Sequence, residues 1–491
     1  MANAKDLKRH YLILSISLII MIAVGFVPPF GDMTPYGMRL LGVFAGCIFG
    51  WLFSIVVPVS LIAIVVTGLI VNGQTVDSVM TSVQSLDMVL VVFWAFIFIY
   101  GLEKCGLLEF ITKKIMSIKM CRKSPWHLAV TLWICTMICS GVAATSPTAC
   151  SILMFGIYFN IADKLGAKKA SAYTSFVLVT IAAVAALSIK MVPYSSGIFF
   201  SLSFMSAVVP EMEYNVIIIC LVNFCTVVAL IVIVAIMFKI MLKAHIIKVE
   251  FNMEATEEIF EERAKFDAKI KWGIFYIIFL IAVMILPLVL PEGNGVKMFL
   301  DRIGSIGMFV IVVTLMSVTT VQGERLLDLE QAFKDGAINW SVYFMMGTAL
   351  AVSGLLVSDE AGLSQTLQHL MGDAVDSMGI YTLCFVFLFL GLALTNCITN
   401  AVAMQLVIPV LAIFMVSKGV NPYVITGVAG SLLNWGLILP SGSPLGAFIH
   451  GLVEWIEPKK CYIYLIVLAI CVVAAIAIVG IPLALLFSPR I

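Results

Sequence analysis

Charged residues are scarce in this sequence. Only 12% of its 491 residues are Asp, Glu, Lys or Arg, whereas 62% are hydrophobic. Soluble domains carry about 25% charged residues, so the composition excludes a soluble protein of this length and predicts a polytopic membrane protein. The net charge of +1 gives no indication of nucleic-acid binding, because such proteins usually carry a basic patch.

The sequence also lacks the motifs of an enzyme or a metalloprotein. Its 12 cysteines are scattered, with no Cys-x-x-Cys pair and no Cys/His spacing of a metal site. It contains no recognisable nucleophile–base arrangement or phosphate loop. We therefore predict no catalytic residues and no cofactor, apart from a coupling ion such as Na⁺. The first apolar run has no Ala-x-Ala-like cleavage site, so it is predicted to be a retained span.

Two long apolar runs carry polar residues at their centres. The run 381–416 contains Thr395, Asn396, Thr399 and Asn400, and the run 127–161 contains Ser146 and Thr148. Backbone at membrane depth is tolerated outside a helix only where it is packed in protein or lines a cavity. We therefore predict two re-entrant hairpins, over 127–161 and 380–416, each made of two half-length helices that meet at a polar tip.

A second pattern follows each hairpin. Pro193-Tyr-Ser-Ser196 and Pro440-Ser-Gly-Ser443 both place Pro-x-x-Ser inside a later hydrophobic segment, and we predict a broken span at each. Matching interruptions in two halves of a chain are the best sequence pointer to a transporter's binding site. Chance recurrence of small residues, which are common in membrane helices, is the alternative interpretation.

The apolar segments together predict an all-α polytopic membrane protein with about eleven transmembrane helices plus the two re-entrant hairpins. The arrangement is an inverted repeat, with a first repeat over 11–242, a polar cytoplasmic linker helix over 243–271 and a second repeat over 272–487. The basic segment 104–124 is predicted to be an amphipathic helix at the cytoplasmic interface. With the N-terminus cytoplasmic and the C-terminus outside, 23 of the 29 basic residues fall on the cytoplasmic side, as the positive-inside rule expects.

Broken helices supply chemistry for binding anions. Helix N-termini carry partial positive charge and unpaired N–H groups, and carbonyls freed at a break can coordinate Na⁺.

Lys190 lies three residues before Pro193 in an apolar segment, and an intramembrane cation is a functional-site candidate by default. Its ammonium would pair with a substrate carboxylate or act as a built-in cation; snorkelling to an interface is the alternative. His450 is interpreted as a packing histidine, with a proton relay as the alternative.

These features resemble the divalent-anion:sodium symporter family of the ion transporter superfamily over nearly the whole chain. The resemblance is carried by the paired hairpins, the two tips and the run Leu-Pro-Ser-Gly-Ser-Pro-Leu at 439–445. It implies substrate contacts at Ser146, Pro147, Thr148, Ser196, Thr399, Asn400, Ala401, Ser443 and Pro444. It implies one sodium site at Val142, Ser146, Pro147 and Ser195, and another at Thr395, Ile398, Asn400 and Gly442.

The first tip departs from that family's pattern. The family's tips read Ser-Asn-Thr, whereas Pro147 removes a side-chain amide and a backbone donor here. The second tip reads Thr399-Asn400-Ala401 and keeps its amide. Together with Lys190, this difference predicts weakened sodium coupling or anion exchange.

The resulting expectation is a secondary active transporter of small di- or tricarboxylates, either C4-dicarboxylates or citrate-like acids. By resemblance, it would be a homodimer in the plasma membrane that moves its substrate by elevator-like displacement, sodium-coupled or as an anion exchanger. A proton-coupled organic-anion carrier, a sulfate carrier and an anion channel remain alternatives. The residues themselves do not identify the anion, because every predicted contact suits any carboxylate or sulfate.

Overall fold

The computed structural model describes residues 4–53, 55–107, 110, 123–144, 147–210, 212–251, 266–291, 293–356, 358–363, 365–366, 369, 377–440 and 442–490. Three predictions fall wholly or partly outside these residues. They concern Ser146, most of the basic segment 104–124 and the middle of the linker 243–271.

The described chain is mostly helical. The helices before the linker are α1 (Ala4–Ala23), α2 (Pro35–Leu52), α3 (Val56–Ile70), α4 (Val76–Ser85), α5 (Asp87–Lys104), α6 (Pro125–Ala143), α7 (Pro147–Leu165), α8 (Ala172–Ser188), α9 (Ser196–Ser206) and α10 (Val216–Lys243). Those after it are α11 (Ala268–Val289), α12 (Gly295–Val318), α13 (Leu329–Lys334), α14 (Trp340–Leu356), α15 (Ile380–Cys397), α16 (Asn400–Ser417), α17 (Tyr423–Leu433), α18 (Pro444–Gly451), α19 (Pro458–Ala475) and α20 (Ile481–Phe487). A 3₁₀ turn (Val24–Phe26) follows α1, and a π-helical segment (Ile476–Gly480) joins α19 to α20. Strands β1 (Thr320–Val321) and β2 (Glu324–Arg325) pair antiparallel.

Several of these helices have the length and composition of membrane spans. Among the described residues, six are long and apolar enough to cross a membrane, or eight if two bent pairs each count as one span. The sharper bend, 87°, lies in α12. Gly304 has φ of +65° there, a conformation that costs glycine little. A helix lies at each of the eleven predicted spans, but the number of crossings stays a prediction.

Both predicted hairpins are pairs of helices that contact each other, α6 with α7 and α15 with α16. The first break follows Ala144, whose φ is +51°, and α7 then begins at Pro147. The second break consists of Ile398 and Thr399, both in extended conformation. The arms have 18 or 19 residues each, about half the length of the predicted runs 127–161 and 380–416. The re-entrant placement of the tips stays a prediction.

The centre of the fold is built from the two predicted broken spans. The first is α8 and α9, which are separated by residues 189–195, and the second is α17 and α18, separated by 434–443. Every residue of α17 is buried, and so is every residue of α8 after Ala172. Helix α9 packs against α16 and α17, from the other half of the chain. The two halves are therefore interlocked at the centre.

The first hairpin also contacts the second half of the chain. The ring of Phe159 stacks on Trp455 with 4.2 Å between ring centroids, and Phe155 stacks on Phe448 at 5.9 Å. Lys169 pairs with Glu454 beside these rings. These contacts fix α7 to α18 and to the residues that follow α18.

A cluster of polar side chains ties the end of α5 to the residue after α13. The Asp335 carboxylate accepts hydrogen bonds from the Tyr100 hydroxyl at 2.6 Å, Lys104 Nζ at 3.0 Å and Gln331 Nε2 at 2.6 Å. The Tyr100 bond and then the Lys104 bond lower the pKa of Asp335 to about 2. The carboxylate therefore stays charged well below its ordinary titration range.

Replacing Asp335 by asparagine is expected to lower the thermal stability modestly at neutral pH. A carboxyl with a depressed pKa stabilises the folded state above its unfolded pKa of ~3.9, and that contribution is lost as the pH falls toward the folded value. The difference in melting temperature between wild type and Asp335→Asn should therefore be constant above pH ~5 and shrink as the pH falls below ~4. Glu330→Gln, which removes an exposed pair with Lys334, is the control and should change little. Equal melting temperatures for wild type and Asp335→Asn at every pH would contradict this role of the cluster.

Candidate functional site

The second hairpin is bound to the second broken span through its tip. The Thr395 hydroxyl donates to Asn400 Oδ1 at 2.8 Å and also contacts Leu433 O at 2.5 Å. Asn400 Nδ2 donates to Asn434 O at 3.1 Å. Both arms of the hairpin are therefore held against the carbonyl groups at the C-terminal end of α17.

Three oxygen atoms converge beside Gly436, in the gap between α17 and α18. A Cβ built on Gly436 would lie 2.5 Å from Thr395 O, 2.6 Å from Asn400 Oδ1 and 3.0 Å from Gly442 O. Among the described residues, no hydrogen-bond donor is directed at Thr395 O or Gly442 O. We call this space, bounded by Thr395, Asn400, Gly436 and Gly442, the oxygen cradle.

The oxygen cradle has the chemistry of a site for a hard cation. Such cations are bound by carbonyl and amide oxygens, and Ca²⁺ for example is held at ~2.3–2.6 Å. In transporters with broken helices, unwound carbonyls and helix C-terminal ends coordinate Na⁺. The residues present therefore fit a sodium ion.

The cradle contains three residues of one predicted sodium site. Thr395, Asn400 and Gly442 each contribute an oxygen, whereas Ile398 lies in the break and donates its N–H to Leu394 O at 2.8 Å. Sequence reasoning missed Gly436. The available signal was a glycine directly after Asn434-Trp435, where the broken span leaves its helix.

The other predicted sodium site is arranged differently. Val142 O accepts a hydrogen bond from the Tyr194 hydroxyl at 3.2 Å. The Ser195 hydroxyl contacts Ile189 O at 2.6 Å and, more distantly, Ala144 O at 3.4 Å. Hydroxyl groups of the protein thus meet carbonyls that would otherwise be free for a cation. Pro147 and Thr148 lie half-buried in the first turn of α7, next to Ser146, which is not described.

Two helix N-termini near the centre have no side-chain cap. Helix α16 begins at Asn400 after Thr399, and α9 begins at Ser196 after Ser195. Neither N-cap residue forms a capping hydrogen bond with its side chain. Thr399, Asn400 and Ala401 are half-buried. The first-turn N–H groups of α16 therefore remain available to an anion at the tip.

The N-terminus of α18 is capped instead. The Ser443 hydroxyl accepts from Gly446 N at 3.0 Å and donates to Gly436 O at 2.6 Å, and Pro444 occupies the first turn. Ser443 thus holds the wall of the oxygen cradle in place. Its role as a direct substrate contact stays a prediction.

The Lys190 ammonium is buried, with 1% of the residue exposed. Its Nζ lies 2.5 Å from Ser201 Oγ, 2.6 Å from Gly430 O and 4.0 Å from Met404 Sδ. The snorkelling alternative does not fit this position.

His450 Nε2 lies 3.1 Å from Ile438 O, and the ring packs 4.6 Å from Tyr462, which is the arrangement of a hydrogen-bonded packing histidine.

Comparison with known proteins agrees with this fold. The family model described as "Citrate transporter" matches residues 44–430, which is most of the chain. The sodium-dependent dicarboxylate transporter SdcS of Staphylococcus saprophyticus is 26% identical over 150 residues, which cover 30% of this chain and 28% of that protein. The structure of MtrF from Neisseria gonorrhoeae, described as one of a class of antimetabolite efflux pumps, superposes with a TM-score of 0.55 over 96% of this chain and 94% of that chain, at 13% identity. This last likeness concerns the fold alone.

These matches confirm the resemblance to carboxylate transporters that the sequence indicated. The match to SdcS spans little more than a quarter of that protein's length, whereas the family model covers both hairpins and ends within α17. The chain is therefore a multi-pass membrane transporter and not an enzyme, and it belongs to the citrate transporter family.

Proposed function

We propose that this protein is a secondary active transporter that carries a small di- or tricarboxylate together with sodium. The observation that carries the proposal is the convergence of Thr395 O, Asn400 Oδ1 and Gly442 O on one space, beside the uncapped N-terminus of α16. A cation site and an anion site that share Asn400 would make the binding of one favour the binding of the other.

The two ligands are coupled through the hairpin tip. A sodium ion in the oxygen cradle would be held by the Thr395 and Gly442 carbonyls and by the Asn400 amide oxygen. It would also fix the start of α16, whose N–H groups and positive helix end attract a carboxylate. Thr399, Ala401 and Ser196 are the further substrate contacts in this proposal, and Thr148, Pro147 and Ser146 contribute from the first tip.

Sodium coupling through one site rather than two is part of the proposal. Its support is the difference between the halves. In the first site the Tyr194 hydroxyl donates to Val142 O and the Ser195 hydroxyl donates to Ile189 O, whereas no described donor reaches Thr395 O or Gly442 O in the second. SdcS, which the chain resembles over 150 residues, is a sodium-dependent dicarboxylate transporter, and this is consistent with sodium as the coupling ion.

The wider expectations belong to the same proposal. They are an inverted repeat of 11–242 and 272–487 around the linker 243–271, with eleven spans and tips that turn back within the bilayer. They also include a homodimer in the plasma membrane, a cytoplasmic N-terminus, an outside C-terminus and elevator-like displacement. The interlocked broken spans support a transport unit that moves as one body.

Uptake by purified protein in liposomes tests the proposal. Labelled citrate and a labelled C4-dicarboxylate are offered with an inward sodium gradient, with a proton gradient alone and with neither. We expect sodium-dependent accumulation of at least one of them, with a Hill coefficient for sodium near one, and accelerated uptake when unlabelled substrate is inside. Uptake driven by a proton gradient alone would show that protons, and not sodium, are the coupling ion. Flux that unlabelled substrate inside the liposomes does not accelerate would identify a channel.

A further inference from the structure

We infer that the Lys190 ammonium is a built-in cation that takes the place of a second coupling ion. This inference rests on the proposed sodium-coupled carboxylate transport and specifies how the second positive charge is supplied. The ammonium occupies a site made by a helix end, as a transported cation would, but it is covalently attached to the protein.

The site of the ammonium is the C-terminal end of α17. In a regular helix Gly430 O would accept from the N–H of Asn434, but Asn434 N–H donates to Ser431 O at 3.3 Å instead. The Gly430 carbonyl thus lacks the N–H of Asn434 as a partner, at the end of the helix that carries partial negative charge. Lys190 Nζ donates to it at 2.6 Å.

The surrounding chain is shaped to admit the ammonium. A Cβ on Gly430 would lie 2.1 Å from Ser201 Oγ and 2.8 Å from Lys190 Nζ, and a Cβ on Gly197 would lie 3.1 Å from Lys190 Cε. Glycine at these two positions therefore leaves the space through which the lysine side chain reaches α17. The site is specific for this side chain and does not result from loose packing.

A second side chain holds the same region. Asn223 Nδ2, on α10, donates to Lys190 O at 3.2 Å, and its Oδ1 accepts from the Ser431 hydroxyl at 3.0 Å. The break after α8, α10 and the end of α17 are therefore linked by one buried polar network. The network joins residues on both sides of the linker.

No carboxylate within the described ranges pairs with Lys190; the acceptors of its ammonium are a hydroxyl, a carbonyl and a thioether. The charge is therefore balanced only in part, by the helix end. A bound dicarboxylate carries two negative charges. One sodium ion in the oxygen cradle and the fixed ammonium together supply two positive charges, so the loaded centre is neutral.

Replacing Lys190 by methionine tests this assignment, because methionine keeps most of the length and removes the charge. We expect uptake to fall roughly tenfold or more, since Gly430 O loses its donor. The Hill coefficient for sodium should be near one in the wild type and should rise toward two in the residual uptake of the variant. If the Lys190 contact is purely structural, the substitution would lower the stability of the protein without changing the Hill coefficient for sodium.

Chemical rescue provides a second readout. Lys190→Ala opens a cavity at the helix end, and ethylammonium at millimolar concentration is expected to restore part of the uptake and to raise the melting temperature of the variant, but not that of wild type. Lys169→Met is the matched control: Lys169 is half-exposed and paired with Glu454, so uptake and the response to ethylammonium should be unchanged. If neither Lys190→Ala nor Lys190→Met is obtained folded, both variants are extracted in the presence of ethylammonium. Recovery of folded Lys190→Ala, but not of folded Lys190→Met, then supports the assignment.

Three results would overturn the inference: wild-type uptake by Lys190→Met, a variant whose only change is a higher KM for the anion, or no effect of ethylammonium on Lys190→Ala. The first two leave sodium-coupled transport by the wild type intact. Failure of the proposed function would appear instead as loss of sodium dependence in the unmodified protein. The melting temperatures of the variants report on Lys190 in either case.

Discussion

Gly436→Ala is expected to abolish sodium-driven uptake. The added methyl group would lie 2.5 Å from Thr395 O and 2.6 Å from Asn400 Oδ1, in the space proposed for the cation. The oxygens must move apart to admit it, which destroys the geometry that a cation requires. Uptake with a sodium gradient should fall by at least about tenfold, a loss that corresponds to ~1.4 kcal/mol, and sodium should no longer raise the melting temperature of the protein.

Gly427→Ala is the control for this substitution. A Cβ at Gly427 would lie 2.1 Å from Ile219 Cγ2, so the steric strain is of similar size but lies away from the oxygen cradle. We expect this variant to lose stability, as overpacked cores do, and to keep the wild-type sodium dependence in the protein that remains folded. Normal sodium-driven uptake by Gly436→Ala would show that no cation binds beside Gly436.

Asn400→Ala is expected to raise the sodium concentration needed for half-maximal uptake by about tenfold or more. The substitution removes one of the three cradle oxygens and the bond from Nδ2 to Asn434 O. It also leaves the Thr395 hydroxyl with Leu433 O as its remaining partner. A buried polar group that loses its partner costs ~1–3 kcal/mol, so affinity for the anion at the same tip should fall as well. Uptake titrated with sodium at several substrate concentrations measures both effects.

Asn396→Ala separates the loss of a ligand from the loss of a hydrogen bond. Asn396 lies on the other arm of the same hairpin, accepts from Ile438 N at 2.8 Å and donates to Leu392 O at 2.8 Å. Its removal should reduce the stability of the hairpin while half-saturation by sodium stays within about twofold of wild type. If Asn396→Ala and Asn400→Ala shift the sodium titration equally, the cradle assignment is wrong.

The positions of the hairpins and broken spans could be predicted because their signals are local. Thr399 and Asn400 stand out inside an apolar run, and Pro193 and Pro440 interrupt helices at matching places. The helical arms follow from the same signal, because each polar tip divides its apolar run into two parts that are each long enough for a helix.

The partners of the site residues depend on long-range packing. Lys190 meets Gly430, 240 positions later, and Gly436 matters only because Thr395 and Gly442 are folded against it. The position of Gly436 directly after Asn434-Trp435 does not show which oxygen atoms it meets. Ser443, which is predicted to contact the substrate, bonds to Gly436 O and Gly446 N within its own loop, and these short-range partners were not predicted either.

The contact between Lys190 and Gly430 has a consequence for how the molecule can move. If the first broken span slid past the second by one turn, the Lys190 ammonium would lose Gly430 O and keep only the Ser201 hydroxyl of its own span, and a poorly satisfied charge in an apolar interior is costly. Sliding between the two broken spans is therefore costly. In the proposed transport mechanism, a displacement that carries the substrate across the bilayer would therefore move both broken spans together as one rigid unit.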